Sequence, residues 1–217
     1  MSTLTLSEKN EDVEIKVFGS VYPPTEDSYL LAKHAPLLKG RILDMCTGSG
    51  IAALRNAKAN PGNEVIGVDI NPEAVRCATK NAEANNIKNA RFFVSDLFDK
   101  VEGKFDGITC NPPYLPCEEF DPETGITISF NDDSGPKDKA AEVALSGGKE
   151  GREFTDRFID QAGKFLRHRG SILLLQSSLN NINKTIKAFK SVDMNAKVVG
   201  KEDLFFEKLY VLKATKV

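Results

Sequence analysis

The tetrapeptide Asn111-Pro112-Pro113-Tyr114 carries residue types suited to methylating a planar, weakly nucleophilic NH2 group. Two consecutive prolines fix φ and remove two backbone N–H donors. Each also pushes the residue before it toward extended geometry. The Asn111 side-chain oxygen and the Pro112 carbonyl can then accept the two protons of one substrate NH2. Tyr114 offers an aromatic wall for a flat amide or base. Taken alone, the same four residues also suit an ordinary surface turn. The apolar run Phe105-Asp106-Gly107-Ile108-Thr109-Cys110 in front of them reads as a buried strand, which puts the turn at a strand's carboxyl end.

A second constellation lies upstream. Arg41-Ile42-Leu43-Asp44-Met45-Cys46-Thr47-Gly48-Ser49-Gly50 is an apolar strand running into a Gly-containing turn, followed by the helix-like Ile51-Ala52-Ala53-Leu54-Arg55-Asn56-Ala57. Strand, glycine turn and helix N-terminus make a nucleotide-type site at the carboxyl end of a parallel sheet. A second strand, Glu64-Val65-Ile66-Gly67-Val68-Asp69, ends in an acid nineteen residues after Gly50, where a carboxylate can accept ribose hydroxyls. Gly48-x-Gly50-x-x-Ala53 passes as a dinucleotide fingerprint. The loop Asp44-x-Cys46-x-Gly48-x-Gly50 equally fits S-adenosylmethionine (SAM). The SAM reading uses more residues: Asp44 for the amino-acid end of the ligand, Asp96 after Phe92-Phe93-Val94 for an adenine amino group, and the tetrapeptide for the acceptor. Asp44 as a turn acid and Asp96 as a helix N-cap before Leu97 are the plainer readings of those two residues.

These sites need elements to position them. Val13 to Phe18 alternates like a short strand, and Glu26 to Leu38 reads as a helix with Thr25 as N-cap. Then come strand 41–45, helix 50–60, strand 64–69, helix 72–86 with Pro72 at its first position, strand 90–95 and strand 105–110. Helix 151–168, strand 170–176, helix 180–191 and a closing antiparallel pair, 195–200 with 204–213, complete the pattern. Alternating β and α elements imply an α/β fold with a mainly parallel sheet and helices on both faces. At 217 residues one domain over 1–217 is expected, with 1–20 as an N-terminal extension. Residues 116–139 form a long acidic loop after the tetrapeptide, suited to a substrate-binding lid or to disorder.

Composition narrows the class. With 41% hydrophobic and 28% charged residues the chain matches soluble globular proteins. The longest aliphatic run, Ile172 to Leu175, is far short of a membrane span. Met1 to Asn10 lacks a signal-peptide core. Cys46, Cys77, Cys110 and Cys117 form no CxxC pair and read as reduced thiols of a cytosolic protein. With only two histidines and no Cys/His cluster, no metal site is expected. A net charge of −2 argues against broad nucleic-acid binding.

Four segments together resemble the HemK/PrmC family of SAM-dependent protein-glutamine methyltransferases, over about Val21 to Gln176. Val21-Tyr22-Pro23-Pro24-Thr25-Glu26-Asp27-Ser28 is similar to the family's Tyr-x-Pro-x-Glu-Asp-Thr/Ser segment. The loop 44–50 with Asp69-Ile70-Asn71-Pro72, the Asn111–Tyr114 turn, and Ala144-Leu145-Ser146-Gly147-Gly148-Lys149-Glu150-Gly151-Arg152 supply the rest. The resemblance implies a class I SAM-dependent methyltransferase fold, Rossmann-like with seven strands. It implies Ser28, Asp44, Cys46, Gly48, Gly50, Asp69, Ile70, Asp96, Leu97 and Asn111 at the cofactor. Asn111, Pro112, Pro113 and Tyr114 would be catalytic, with Tyr22, Asn111 and Tyr114 at the substrate. Cys46 stands where the family has Gly, which leads us to expect unstrained backbone there.

With about twenty residues before the first segment, the chain resembles the short archaeal and eukaryotic type, without the helical N-terminal domain of bacterial members. That type implies a heterodimer with a small zinc-binding activator covering an apolar edge strand, for which Arg91, Phe92, Phe93 and Val94 are the candidate. The implied substrate is the Gln of a Gly-Gly-Gln motif in a class-I release factor. The alternatives are an amino-methyltransferase acting on a base of rRNA or DNA, which would have to extrude that base, a lysine methyltransferase, and a catalytically idle SAM-binding scaffold.

Overall fold

The computed structural model describes residues 13–116 and 146–217. Most of the acidic loop, the first twelve residues and the Ala144-Leu145 end of the fourth segment lie outside them. Seven strands form one sheet: β1 (Arg41–Met45), β2 (Glu64–Asp69), β3 (Ala90–Val94), β4 (Phe105–Cys110), β5 (Leu166–Ser177), β6 (Met194–Asp203) and β7 (Lys208–Lys216). Their spatial order is β3-β2-β1-β4-β5-β7-β6. β7 runs antiparallel to both β5 and β6, and the other pairs are parallel. Five helices accompany them among the described residues: α1 (Glu26–His34), α2 (Ile51–Ala59), α3 (Pro72–Ala84), α4 (Glu153–Phe165) and α5 (Ile182–Ser191).

The period-2 alternation of strand side chains sends neighbours to opposite faces. Ile42, Val65 and Leu173 pack with Leu30 and Leu31 of α1 and Ala53 and Ala57 of α2. Leu43, Ile66, Ile172 and Leu174 pack on the other face with Phe158, Ile159 and Ala162 of α4 and Phe189 of α5. Strands buried on both faces read as near-continuous apolar runs, as Ile172 to Leu175 does. Chain order reverses between β1 and β4, which lie side by side. At such a switch point the loops leaving the carboxyl ends diverge and open a crevice. The glycine-containing loop 46–50 leaves β1 there, and the Asn-Pro-Pro-Tyr turn leaves β4.

Local readings shifted where tertiary partners took over. Val13 to Phe18 is not a strand of the sheet. Its alternation is real, with Val13 and Ile15 facing the core, but its backbone is held by two asparagines of the α3 region. Asn85 Oδ1 accepts from Glu14 N at 2.9 Å and Asn81 Oδ1 from Lys16 N at 3.0 Å, while their amide groups donate to the Glu14 and Lys16 carbonyls. The helix expected over 26–38 stops at His34, and Ala35–Leu37 form a 3-10 turn because Pro36 has no N–H to continue the ladder. The helix expected to reach residue 168 ends at Phe165, and β5 begins at Leu166.

Candidate active site

The crevice is a cavity of about 740 Å³, within the roughly 300–1,000 Å³ typical of small-molecule sites. Four structural pieces wall it: the stretch from Ser20 to Ser28 with the start of α1, the loop after β1, the ends of β2 and β3, and the Asn111–Tyr114 turn. Gly147, Gly148, Phe154 and Arg157 close the far side.

The β1 loop is shaped by its hydrogen bonds. Thr47 N donates to the Val68 carbonyl at 3.0 Å, which prolongs the β1–β2 ladder around a corner. Turning that corner puts Cys46 at φ 56°, so the expected unstrained backbone is not what forms. A left-handed non-glycine residue costs roughly 1–2 kcal/mol. Its thiol meets Cys110, and that contact together with burial holds Cys46 well above its ordinary pKa, as a neutral thiol. Gly48 lies at φ 54°, and a side chain there would project into open space. That bare backbone is the approach surface a flat ligand needs.

Of the acids that line the crevice, Asp69, Asp44 and Asp96 have different partners. Asp69, at the end of β2, accepts from Gly48 N at 2.9 Å and from Asn71 N at 3.0 Å, and burial raises its pKa against those bonds. Its remaining lone pairs face the ligand space. Asp44 is buried, and the hydroxyls of Thr47 (2.7 Å) and Thr109 (2.5 Å) take both its oxygens. Burial outweighs those bonds and pushes its carboxyl up to about 6. Asp96 sits at the rim opposite Arg157, 3.8 Å away. Asp27 adds a further acidic group, and the acids clustered on this wall suit a cationic ligand such as a sulfonium.

The Asn111–Tyr114 turn is held from two sides. Asn111 Nδ2 donates to Asp27 Oδ2 at 3.2 Å and lies 3.4 Å from Ser28 Oγ. Its Oδ1 is buried without a partner. Tyr114 donates its hydroxyl to Asp27 Oδ2 at 3.5 Å, and burial together with the Asp27 charge raises its pKa so that the phenol stays neutral. From the other side, Asn180 Nδ2 donates to the Tyr114 carbonyl at 2.8 Å and to the Gly151 carbonyl at 2.9 Å. Gly151, at φ 70°, packs so closely that a Cβ would stand 2.6 Å from the Tyr114 carbonyl oxygen.

Most of the residues singled out in the sequence thus meet at one cavity: Tyr22, Ser28, Asp44, Cys46, Gly48, Asp69, Ile70, Asp96, Leu97, Asn111, Pro112, Pro113 and Tyr114 all line it. Gly50 does not. It caps α2 from outside the wall, packed against Ala78. Sequence reasoning passed over Asp27, although it sits inside the quoted 21–28 segment beside Ser28. It also passed over Asn180, which no local pattern marks.

The strand order, the switch-point crevice and a glycine loop facing acids define a class I SAM-dependent methyltransferase. A family model for the methyltransferase small domain matches residues 24–127. The putative protein N5-glutamine methyltransferase of Methanocaldococcus jannaschii is 38% identical, over 94% of this chain and 96% of its own length. Mouse methyltransferase HEMK2 is 30% identical, over 92% of this chain and 91% of its own. Among solved structures, the E. cuniculi Mtq2-Trm112 complex, responsible for methylation of the eRF1 translation termination factor, superposes with a TM-score of 0.66 at 22% identity. That match covers 92% of this chain and 100% of the other. The chain belongs to the HemK family of protein-(glutamine-N5) methyltransferases, enzymes that use SAM as the methyl donor.

Proposed function

We propose that this enzyme methylates the side-chain amide nitrogen of the Gln in a Gly-Gly-Gln motif of a class-I translation release factor. The observation that carries the reading is the unpartnered, buried Asn111 Oδ1. Its amide is oriented, because Nδ2 is committed to a carboxylate that can only accept. The oxygen is therefore an acceptor awaiting a donor. A primary amide supplies two such donors, one for Asn111 Oδ1 and one for the Pro112 carbonyl.

When bound, SAM supplies a methyl group on a positively charged sulfur. Gly48, Asp69, Ile70 and Asp96 would bind its nucleoside, with Ser28, Asp44, Cys46 and Leu97 around the remainder. Asn111 and Pro112 hold the amide nitrogen in line for attack, a near-attack arrangement. Their two acceptors favour positive charge growing on that nitrogen, whose lone pair is otherwise delocalised. Once methylated, the amide nitrogen would carry an acidic proton that water could take, so no strong base among these residues is needed. Tyr22 and Tyr114 wall the flat amide. The eRF1 substrate of the structurally similar complex and the glutamine chemistry of the relatives support this reading.

All seven strands belong to one sheet, which supports treating residues 1–217 as one catalytic domain. β3 borders that sheet, with Arg91 exposed and Phe92, Phe93 and Val94 half-buried. Among the described residues nothing pairs with its outer side, and a bare edge invites pairing. We assign it to a small zinc-binding activator. No helix among the described residues is long and apolar enough to cross a membrane, and a release factor is met in the cytoplasm.

The test is mass spectrometry of the release factor after incubation with SAM and enzyme, with and without activator. The expected result is the mass gain of one methyl group on the Gly-Gly-Gln glutamine. An unmodified glutamine in both conditions, with SAM binding shown separately, overturns the substrate assignment.

A further inference from the structure

The turn between β6 and β7 holds two aromatic rings out into solvent. Leu204 N donates to the Glu207 carbonyl at 2.8 Å, closing a tight turn over Leu204-Phe205-Phe206-Glu207. Leu204 packs toward the core. The Glu207 carboxylate accepts from Ser177 Oγ, and Lys208 N donates to Ser178 Oγ at 3.0 Å. The turn is thus fixed at its base while Phe205 and Phe206 remain 92% and 89% exposed. Their rings meet edge to face, centroids 4.6 Å apart. Leu179, next to Ser178, is also exposed.

The base of the hairpin is linked to the Asn111–Tyr114 turn through residues 177–180. Ser177 and Ser178 anchor the hairpin, and two residues on, Asn180 Nδ2 holds the Tyr114 carbonyl at 2.8 Å. The Glu207 charge also reaches Tyr22 and Tyr114, both on the cavity wall. β7 leaves the hairpin antiparallel to β5, with Leu209 opposite Ser177, so the hairpin stands at the carboxyl edge of the sheet, the edge from which the Asn111–Tyr114 turn also leaves β4.

Resting on the glutamine reading above, we propose that Phe205 and Phe206 are the docking element for the folded protein that carries the target glutamine. A Gly-Gly-Gln loop gives the enzyme one side chain to grip, and that side chain is consumed by the catalytic turn. The remaining binding must come from surface beside the loop. Two preordered aromatic rings are the kind of anchor that carries such binding, because burying them costs little side-chain freedom. The partner surface is therefore apolar and adjacent to the loop.

The test compares wild type with Phe205→Ser/Phe206→Ser on two substrates: the whole release factor and a short free peptide containing its Gly-Gly-Gln segment. Activator is present throughout if wild type requires it. The expected result is a KM for the whole protein raised about tenfold or more, with kcat, SAM affinity and peptide kcat/KM within about twofold of wild type. Phe205→Leu/Phe206→Leu should restore part of the loss. An unchanged KM for the whole protein overturns the proposal, as does an equal loss on both substrates. So does a change confined to oligomeric state, which would make a second copy of the chain the occupant. A wild-type chain inactive on the release factor overturns the glutamine reading itself, and this assignment with it.

Discussion

Asn111 Nδ2 stands 3.2 Å from Asp27 Oδ2, across a sequence separation of 84 residues. The contact commits the Nδ2 end of the Asn111 amide to Asp27 and leaves Oδ1 without a partner. Asp27 itself is fixed by the Thr25 hydroxyl at 2.8 Å and by the Ser28 hydroxyl at 3.0 Å. The acceptor proposed for the substrate amide is thereby oriented by a carboxylate that need not touch the substrate.

Asn111→Ala removes that acceptor and leaves the cofactor wall standing. Turnover should fall by about 100-fold or more, in the range seen when one preorganised group is removed from a transition-state site. SAM affinity by calorimetry should stay within a few-fold. Near-normal turnover would show that Asn111 does not bind the reacting amide.

Asp27→Asn keeps the shape but adds a donor. The new NH2 can satisfy Asn111 Oδ1 and let the amide rotate, which turns its own NH2 toward the cavity. The rate should drop about tenfold or more while the melting temperature changes little. An unaltered rate would mean that Asp27 does not set the Asn111 orientation.

Gly48→Ala places a methyl group where the ligand must approach, on a backbone at φ 54°. The expected loss of SAM affinity is about tenfold or more, with a stability cost of roughly 1 kcal/mol for the left-handed alanine. Titration calorimetry and a thermal melt separate the two effects. Wild-type SAM affinity would place the cofactor elsewhere.

Asp44 should make SAM binding depend on pH. Its folded pKa of about 6 lies above the ordinary 3.8, so between those values the folded state holds a proton that the unfolded state has lost. The stability from this group is fully present below pH 3.8 and declines as pH rises to about 6. Above that, the buried charge is a constant cost on the order of 3 kcal/mol. A nearby cation favours the carboxylate. SAM affinity should therefore weaken by up to about tenfold per pH unit below about 6 and level off above it. Calorimetry at about pH 5 and about pH 7.5 measures the slope, and Asp44→Asn should remove most of it. A flat profile in the wild type would remove Asp44 from the cofactor site.

Much of the molecule was readable in the chain because the signals are local. Two-residue and 3.6-residue periodicity located the seven strands and the five described helices to within a few residues. Gly48, Pro112 and Pro113 mark backbone shapes that other residues do not adopt easily, so the cofactor loop and the catalytic turn stood out before any fold was known. Val13 to Phe18 shows the limit of such signals. Alternation fixed which side chains face inward, but whether the backbone joined a sheet depended on Asn81 and Asn85, some 65 to 71 residues away.

The sequence by itself determined the α/β class, the strand-glycine loop-helix unit after β1 and the Asn-Pro-Pro-Tyr turn after β4, since each follows from short-range sterics and apolar patterning. Only the tertiary structure decided how those pieces serve one another. It placed Asp27 against Asn111 and turned Cys46 left-handed to extend the β1–β2 ladder. It also brought Asn180 under the Tyr114 carbonyl and set the Phe205-Phe206 hairpin at the carboxyl end of β5. Each of these relations joins groups whose hydrogen bonds or burial become available only once the sheet has closed around the switch point.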